Sequence, residues 1–243
     1  MKVIICGNSH IVAIRKAYNA LESDHPTLKI FPLGGANSDD TNFSSLRENG
    51  VAFDLSLYSG LLEKFTGDNL IDDSGIWGFS IGSHFSRIYS TALLRHYQPS
   101  SVAEAGARPM SRGVIEAIIR GNQQYVFQFF SNLQQKNIRF FVILAPPPPA
   151  NYNVFEKKGI KREAIARFDR VARSSFKSKL AEMGVEFLDV PEKTCDEDGL
   201  LLPAYKLDKW HDGKPDPHHA NQEYGALVVD QIFKHIEQYG EHD

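Results

Sequence analysis

Two short stretches at opposite ends of the chain carry residue types that can do chemistry together. The first is Gly7-Asn8-Ser9-His10, directly after the apolar run Val3 to Cys6. Gly7 permits a sharp turn, and Ser9 stands at the start of the helix that follows, where amide dipoles favour a developing negative charge. That is a place for a nucleophile. The second stretch is Asp216-Pro217-His218-His219-Ala220-Asn221. Asp216 and His219 are three apart, so both side chains can face one way. A carboxylate beside an imidazole fixes its tautomer and stabilises the imidazolium formed when it takes a serine proton. Each stretch also has a plain structural reading. Asn8 or Ser9 can cap the first helix, and Asp followed by Pro is a natural helix start. Capping leaves His219 without a role.

The elements that must position these residues follow from apolar periodicity. Val3 to Cys6 reads as a strand, and Ile11, Ile14, Ala17, Tyr18 and Leu21 have helical spacing. Leu28 to Leu33, Gly75 to Ile81, Ile138 to Ala145 and Val185 to Val190 read as four further strands. The fourth strand must stop at Pro146-Pro147-Pro148-Pro149, which cannot donate to a ladder. Helices are expected from about Gly113 to Gln135, from about Lys161 to Met183 with Gly184 as its stop, and at the C-terminal end to about Tyr239. Apolar strands alternating with helices argue for a three-layer α/β/α sandwich around a mostly parallel five-stranded sheet. One domain over 1–243 is expected, with 85–135 as a possible helical cap. Open parallel sheets place ligands at the carboxyl ends of their strands, where Ser9 falls.

The Gly-x-Ser turn after the first strand and Asp-x-x-His closely followed by Asn resemble the SGNH (GDSL) hydrolase family, whose flavodoxin-like sheet this layout matches. The resemblance implies Ser9 as nucleophile, His219 as general base and Asp216 as the group that orients it. It also implies oxyanion donors from a glycine after the second strand, similar to Gly35 in Gly34-Gly35-Ala36-Asn37, and from an Asn after the third. There the chain departs, reading Gly82-Ser83-His84, so that a neutral His84 or Asn37 of the neighbouring loop is left to donate. Asn8 replaces the usual Asp beside the nucleophile and can keep part of its hydrogen-bonding role in the turn. The implied activity is hydrolysis of an ester, such as that of an acylated carbohydrate, without a cofactor. Acyl transfer to a sugar hydroxyl by the same machinery is one alternative; a binding protein that kept the fold is another.

Composition narrows the field further. A net charge of -3 over 243 residues offers no field for nucleic acid or an anionic lipid surface, and no stretch is long enough to cross a bilayer. The apolar start is too short for a signal-peptide core, which makes a cytoplasmic protein the expectation. Cys6 and Cys195 read as free thiols. His211, Asp212, Asp216, His218 and His219 include metal-ligand types, but no helical His-x-x-x-His or Cys pair supports a metal there. No dinucleotide fingerprint or phosphate loop occurs.

Overall fold

The structure, a computed structural model, describes residues 2–22, 25–34, 41–85, 88, 93–152, 159–210 and 213–240. Its strands are β1 (Val3–Gly7), β2 (Leu28–Pro32), β3 (Ser44–Arg47), β4 (Gly50–Phe53), β5 (Leu70–Ile71), β6 (Ile76–Ser80), β7 (Tyr97–Pro99), β8 (Arg108–Met110), β9 (Phe140–Ile143) and β10 (Phe187–Leu188). The main helices are α1 (Ile11–Asn19), α2 (Ser56–Thr66), α3 (Arg112–Asn122), α4 (Gln124–Gln135), α5 (Arg162–Glu182) and α6 (Gln222–Gly240).

The five strands expected from apolar runs form one sheet in the order β10-β9-β6-β1-β2, all pairs parallel. β1 is central, flanked by β2 and β6, so its carboxyl end opens into the middle of the sheet edge. Successive β1 side chains feed opposite cores, as the period of two in a strand requires. Val3 and Ile5 pack with Ile11 and Ile14 of α1 and Val228 and Ile232 of α6 on one face. Ile4 and Cys6 join Phe31, Trp77, Phe79 and Phe129 on the other, which α2 to α5 cover.

The structure also contains elements with no counterpart in the apolar-run reading. β3, β4 and β5 form a separate antiparallel sheet. The β3–β4 hairpin turns at Glu48-Asn49, with Gly50 opening β4 opposite Arg47, and a Cβ on Gly50 would stand 2.4 Å from Ile71 O of β5. The helix expected over Gly113 to Gln135 is two helices, broken at Gln123, whose backbone departs from helical geometry. Within 85–135, Ile115, Ile119, Phe129 and Phe130 are buried, and Phe129 packs 5.0 Å from Phe79 of β6, so much of this segment walls one face of the sheet.

β9 ends at Ile143, before the prolines begin. The tetraproline still accepts hydrogen bonds: Leu201 N–H donates to Pro148 O at 3.0 Å. Arg173 of α5 donates to Ala145 O at 2.7 Å and Pro146 O at 2.9 Å while its other nitrogen holds Asp169 at 2.6 Å. A guanidinium with fixed donors thus satisfies carbonyls that no neighbouring strand reaches.

Candidate active site

Gly7 ends β1 beside Ser80 of β6, its partner in the parallel register. A Cβ on Gly7 would stand 2.4 Å from Ser80 O, so the glycine is required by close approach rather than by a sharp turn. In the turn after it, Asn8 Oδ1 accepts from His10 N–H at 3.1 Å. Asn8 therefore supplies the hydrogen bond of the turn, and α1 begins without a side-chain cap. The Ser9 hydroxyl is spent elsewhere.

The partners of Ser9 arrive on a strap between Tyr205 and Asn221. Isolated antiparallel bridges join Lys206 to Ala220 and Lys209 to Pro215, and Leu207 N–H donates to His219 O at 2.8 Å. α6 begins only at Gln222, and its cap is Asn221, whose Oδ1 accepts from Tyr224 N–H at 3.1 Å. The helix start expected at Asp216-Pro217 is thus displaced, and Asp216 is free for another task. Its Oδ1 accepts from the amides of His218 at 2.9 Å and His219 at 2.6 Å. Its Oδ2 lies 2.8 Å from His219 Nδ1. His219 Nε2 lies 2.8 Å from Ser9 Oγ. A carboxylate at Nδ1 selects the tautomer with its proton there, leaving Nε2 to accept from the serine hydroxyl. Residues separated by most of the chain thereby form one hydrogen-bonded line.

No family model matches this chain, and no curated protein matches it by sequence. Its backbone, however, superposes on solved structures. A GDSL-like lipase from Bacteroides thetaiotaomicron aligns with a TM-score of 0.52 at 12% identity, covering 98% of this chain and 88% of the other. A Bacteroides fragilis protein assigned as an acylhydrolase aligns at 0.50 and 14%, covering 98% and 87%. The chain has the SGNH hydrolase fold.

Within that SGNH fold, Ser9, Asp216 and His219 meet at the strand-end edge. Gly35 and Asn37, expected near the oxyanion, lie outside the described residues, as do His211 and Asp212. Gly34, just before, has φ +88°, the left-handed conformation that glycine tolerates. His84 is placed beside two other imidazoles, its ring 4.1 Å from that of His10 and 5.2 Å from that of His218. Ser83 turns inward, and its Oγ accepts from Ala145 N–H at 2.7 Å.

Two neighbours of the site were not singled out from sequence. Trp210 stacks on His219 with ring centres 4.5 Å apart and planes at 27°. His10 is buried, its ring 4.8 Å from that of His219. Adjacency to Ser9 was the one available signal for His10. Trp210 had none, because the strap that carries it has no periodicity.

The electrostatics follow from burial and pairing. Burial acts to raise the Asp216 carboxyl, but the ring and amide hydrogen bonds from His219, aided by the His218 amide, outweigh it and hold it at about 2. His218 is lowered to about 4 by burial and by His219, against the opposing pull of Asp216. Burial first, then the neighbouring imidazoles, push His10 and His84 well below the ordinary histidine value.

A cavity of about 230 Å³ opens beside Ser9 and His219, walled by His10, Val12, Ala13, Leu207, Trp210 and Ala220, with Lys16 also lining it. A larger open cleft of about 860 Å³, lined by residues such as Arg170, Arg173 and Glu192, shares no lining residue with it. The smaller cavity is the one in contact with the Ser9–His219 pair.

Proposed function

We propose that the protein is a serine hydrolase of carboxylic esters that carry a short acyl group. The observation that carries this reading is the unbroken line Ser9 Oγ, His219 Nε2, His219 Nδ1, Asp216 Oδ2, each contact 2.8 Å. The SGNH fold supports it by placing Ser9 at the carboxyl end of the central strand.

In this mechanism the Ser9 oxygen attacks the ester carbonyl while its proton passes to His219 Nε2. Asp216, ionised at neutral pH, stabilises the imidazolium. The Ser9 amide, at the start of α1, donates to the oxyanion, aided by the loop after β2. The tetrahedral intermediate collapses, the alkoxide leaves as the alcohol with the proton from His219, and the acyl group stays on Ser9. Water then attacks the acyl-enzyme, gives its proton to His219 and releases the acid. The cavity beside Ser9 and His219 is where the acyl group is received. At about 230 Å³ with apolar walls of Val12, Ala13, Leu207 and Trp210 it is smaller than the roughly 300–1,000 Å³ of a ligand pocket for drug-sized molecules. Acetyl or propionyl fits that space.

The test is hydrolysis of p-nitrophenyl acetate and its longer-chain homologues by the full chain and by Ser9→Ala. Turnover is expected to fall with chain length and to drop at least about 10³-fold in the variant. Equal rates for the two proteins, or no turnover of any homologue, overturn the reading.

A further inference from the structure

His10 has no part in the mechanism above, yet it is a buried imidazole at the site. It is 4% exposed, and neither Nδ1 nor Nε2 has a hydrogen-bond partner among the described residues. The rings of His84, His218 and His219 surround it at 4.1, 5.6 and 4.8 Å between centres, edge-on or tilted, and give its nitrogens no partner among the described residues. One ring nitrogen from each of His10, His218 and His219 lies within 4.8 Å of the others.

We infer that His10, His218 and His219 form a binding site for a divalent first-row transition ion of the zinc class, and that the ion competes with Ser9 for His219. The second half rests on the hydrolase reading; the first does not.

Three arguments converge on an ion. Neutral imidazoles are the donors that zinc, copper and nickel prefer over magnesium or calcium. Tetrahedral zinc holds its nitrogens about 2.0–2.1 Å from the metal, hence about 3.4 Å from one another. The three ring nitrogens, all within 4.8 Å of one another, therefore need to close by no more than roughly 1.4 Å. Finally, the second shell is in place: Asp216 Oδ2 on His219 Nδ1 at 2.8 Å is the carboxylate–histidine arrangement that orients a metal-binding ring and raises its basicity. Because Asp216 occupies Nδ1, the nitrogen left for a metal is Nε2, now 2.8 Å from Ser9 Oγ. An ion there removes the base from the serine, whose oxygen can itself complete the tetrahedron. The cavity walled by Ser9, His10, Trp210 and His219 provides the route in.

The experiment is equilibrium dialysis of the chelator-stripped full chain against zinc, in parallel with p-nitrophenyl acetate hydrolysis at each zinc concentration. About one zinc per chain is expected. Affinity should fall at least about tenfold in His10→Gln and in His218→Gln, and about 10- to 100-fold in Asp216→Asn. Because buried His10 invites folding defects, half-buried His218 keeps the test decisive, and Ser9→Ala should still bind zinc. Hydrolysis should decline in step with occupancy and return on adding EDTA. No bound zinc, or binding undiminished in His218→Gln and His10→Gln, overturns the site. Zinc bound with hydrolysis intact at saturation overturns the competition. Zinc bound by a protein that hydrolyses no ester leaves the site standing and removes the hydrolase reading instead.

Discussion

Gly225 of α6 is seated so closely on α1 that a Cβ at that position would stand 2.2 Å from the carbonyl oxygen of Ala13. α1 begins just after Ser9 and α6 just after His219, so the separation of these two helices sets whether the hydroxyl and the imidazole meet. Gly225→Ala inserts a methyl group where only backbone is tolerated. Such overpacking costs roughly 1–3 kcal/mol, set against a gain of about 1 kcal/mol in helix propensity. We expect a net loss of stability in thermal melts. We also expect kcat to fall by about 10²-fold well below the melting temperature, because displacements near 1 Å at a reacting pair have that effect. Unchanged kcat in the folded variant would show that the helix contact does not govern the site.

Asp216→Asn separates the two jobs of that side chain. The Asn carbonyl oxygen can still accept from the amides of His218 and His219, so the strap should keep its shape and the circular dichroism spectrum should be unchanged. The amide presented to Nδ1 favours the wrong tautomer of His219. The expected loss in kcat is about 10⁴-fold, the scale seen when the orienting carboxylate of a serine protease is replaced by Asn. A small change in kcat would mean that His219 needs no orienter.

The histidine cluster makes folding stability depend on pH. His218 is held at about 4 in the folded chain, against an ordinary value of 6.5. Between these values the unfolded chain binds a proton that the native chain does not, so native stability falls as pH drops from about 6.5 to about 4. Over the whole window His218 contributes roughly 3 kcal/mol, and His10 and His84, lowered by burial, act in the same direction. Above pH 7 these contributions are fully present. Urea unfolding at intervals from pH 4 to pH 8 should show this slope, and His218→Gln should flatten part of it.

Arg173 joins the tetraproline turn to α5 and is paired with the buried carboxylate of Asp169. Arg173→Met should destabilise by about 3–5 kcal/mol, because it takes the guanidinium from a buried carboxylate and the donors from two carbonyls. Changing Asp169 to Leu as well should recover a part of that loss in denaturant melts, since the buried charge is then gone. Failure to recover any would place the cost on the carbonyls alone.

The elements legible in the sequence were those whose residues carry their own periodicity. The five parallel strands, α1, α5 and the end of α6 could each be read from apolar runs or helical spacing, because burial on two faces or on one stripe leaves a local pattern. The hairpin β3–β4, with only Phe53 and Val51 as buried apolar residues of its second strand, left too short a run to count. The break at Gln123 was equally hidden, since Ile119 and Val126 keep helical spacing across it.

The residue types at the site were set by sequence alone: a serine after the first strand, an Asp and a His three apart, and a glycine, Gly7, where Ser80 of β6 presses on the end of β1. Their meeting was not. A hydrogen bond between Ser9 and His219 depends on β1 lying central in the sheet, on Gly225 letting α6 sit against α1, and on bridges that hold the Tyr205–Asn221 strap. These are long-range packing relations, and no local pattern encodes them. The same packing brought His10, some two hundred residues earlier in the chain, against the adjacent pair His218 and His219, so that a ring nitrogen of each lies within 4.8 Å of the others.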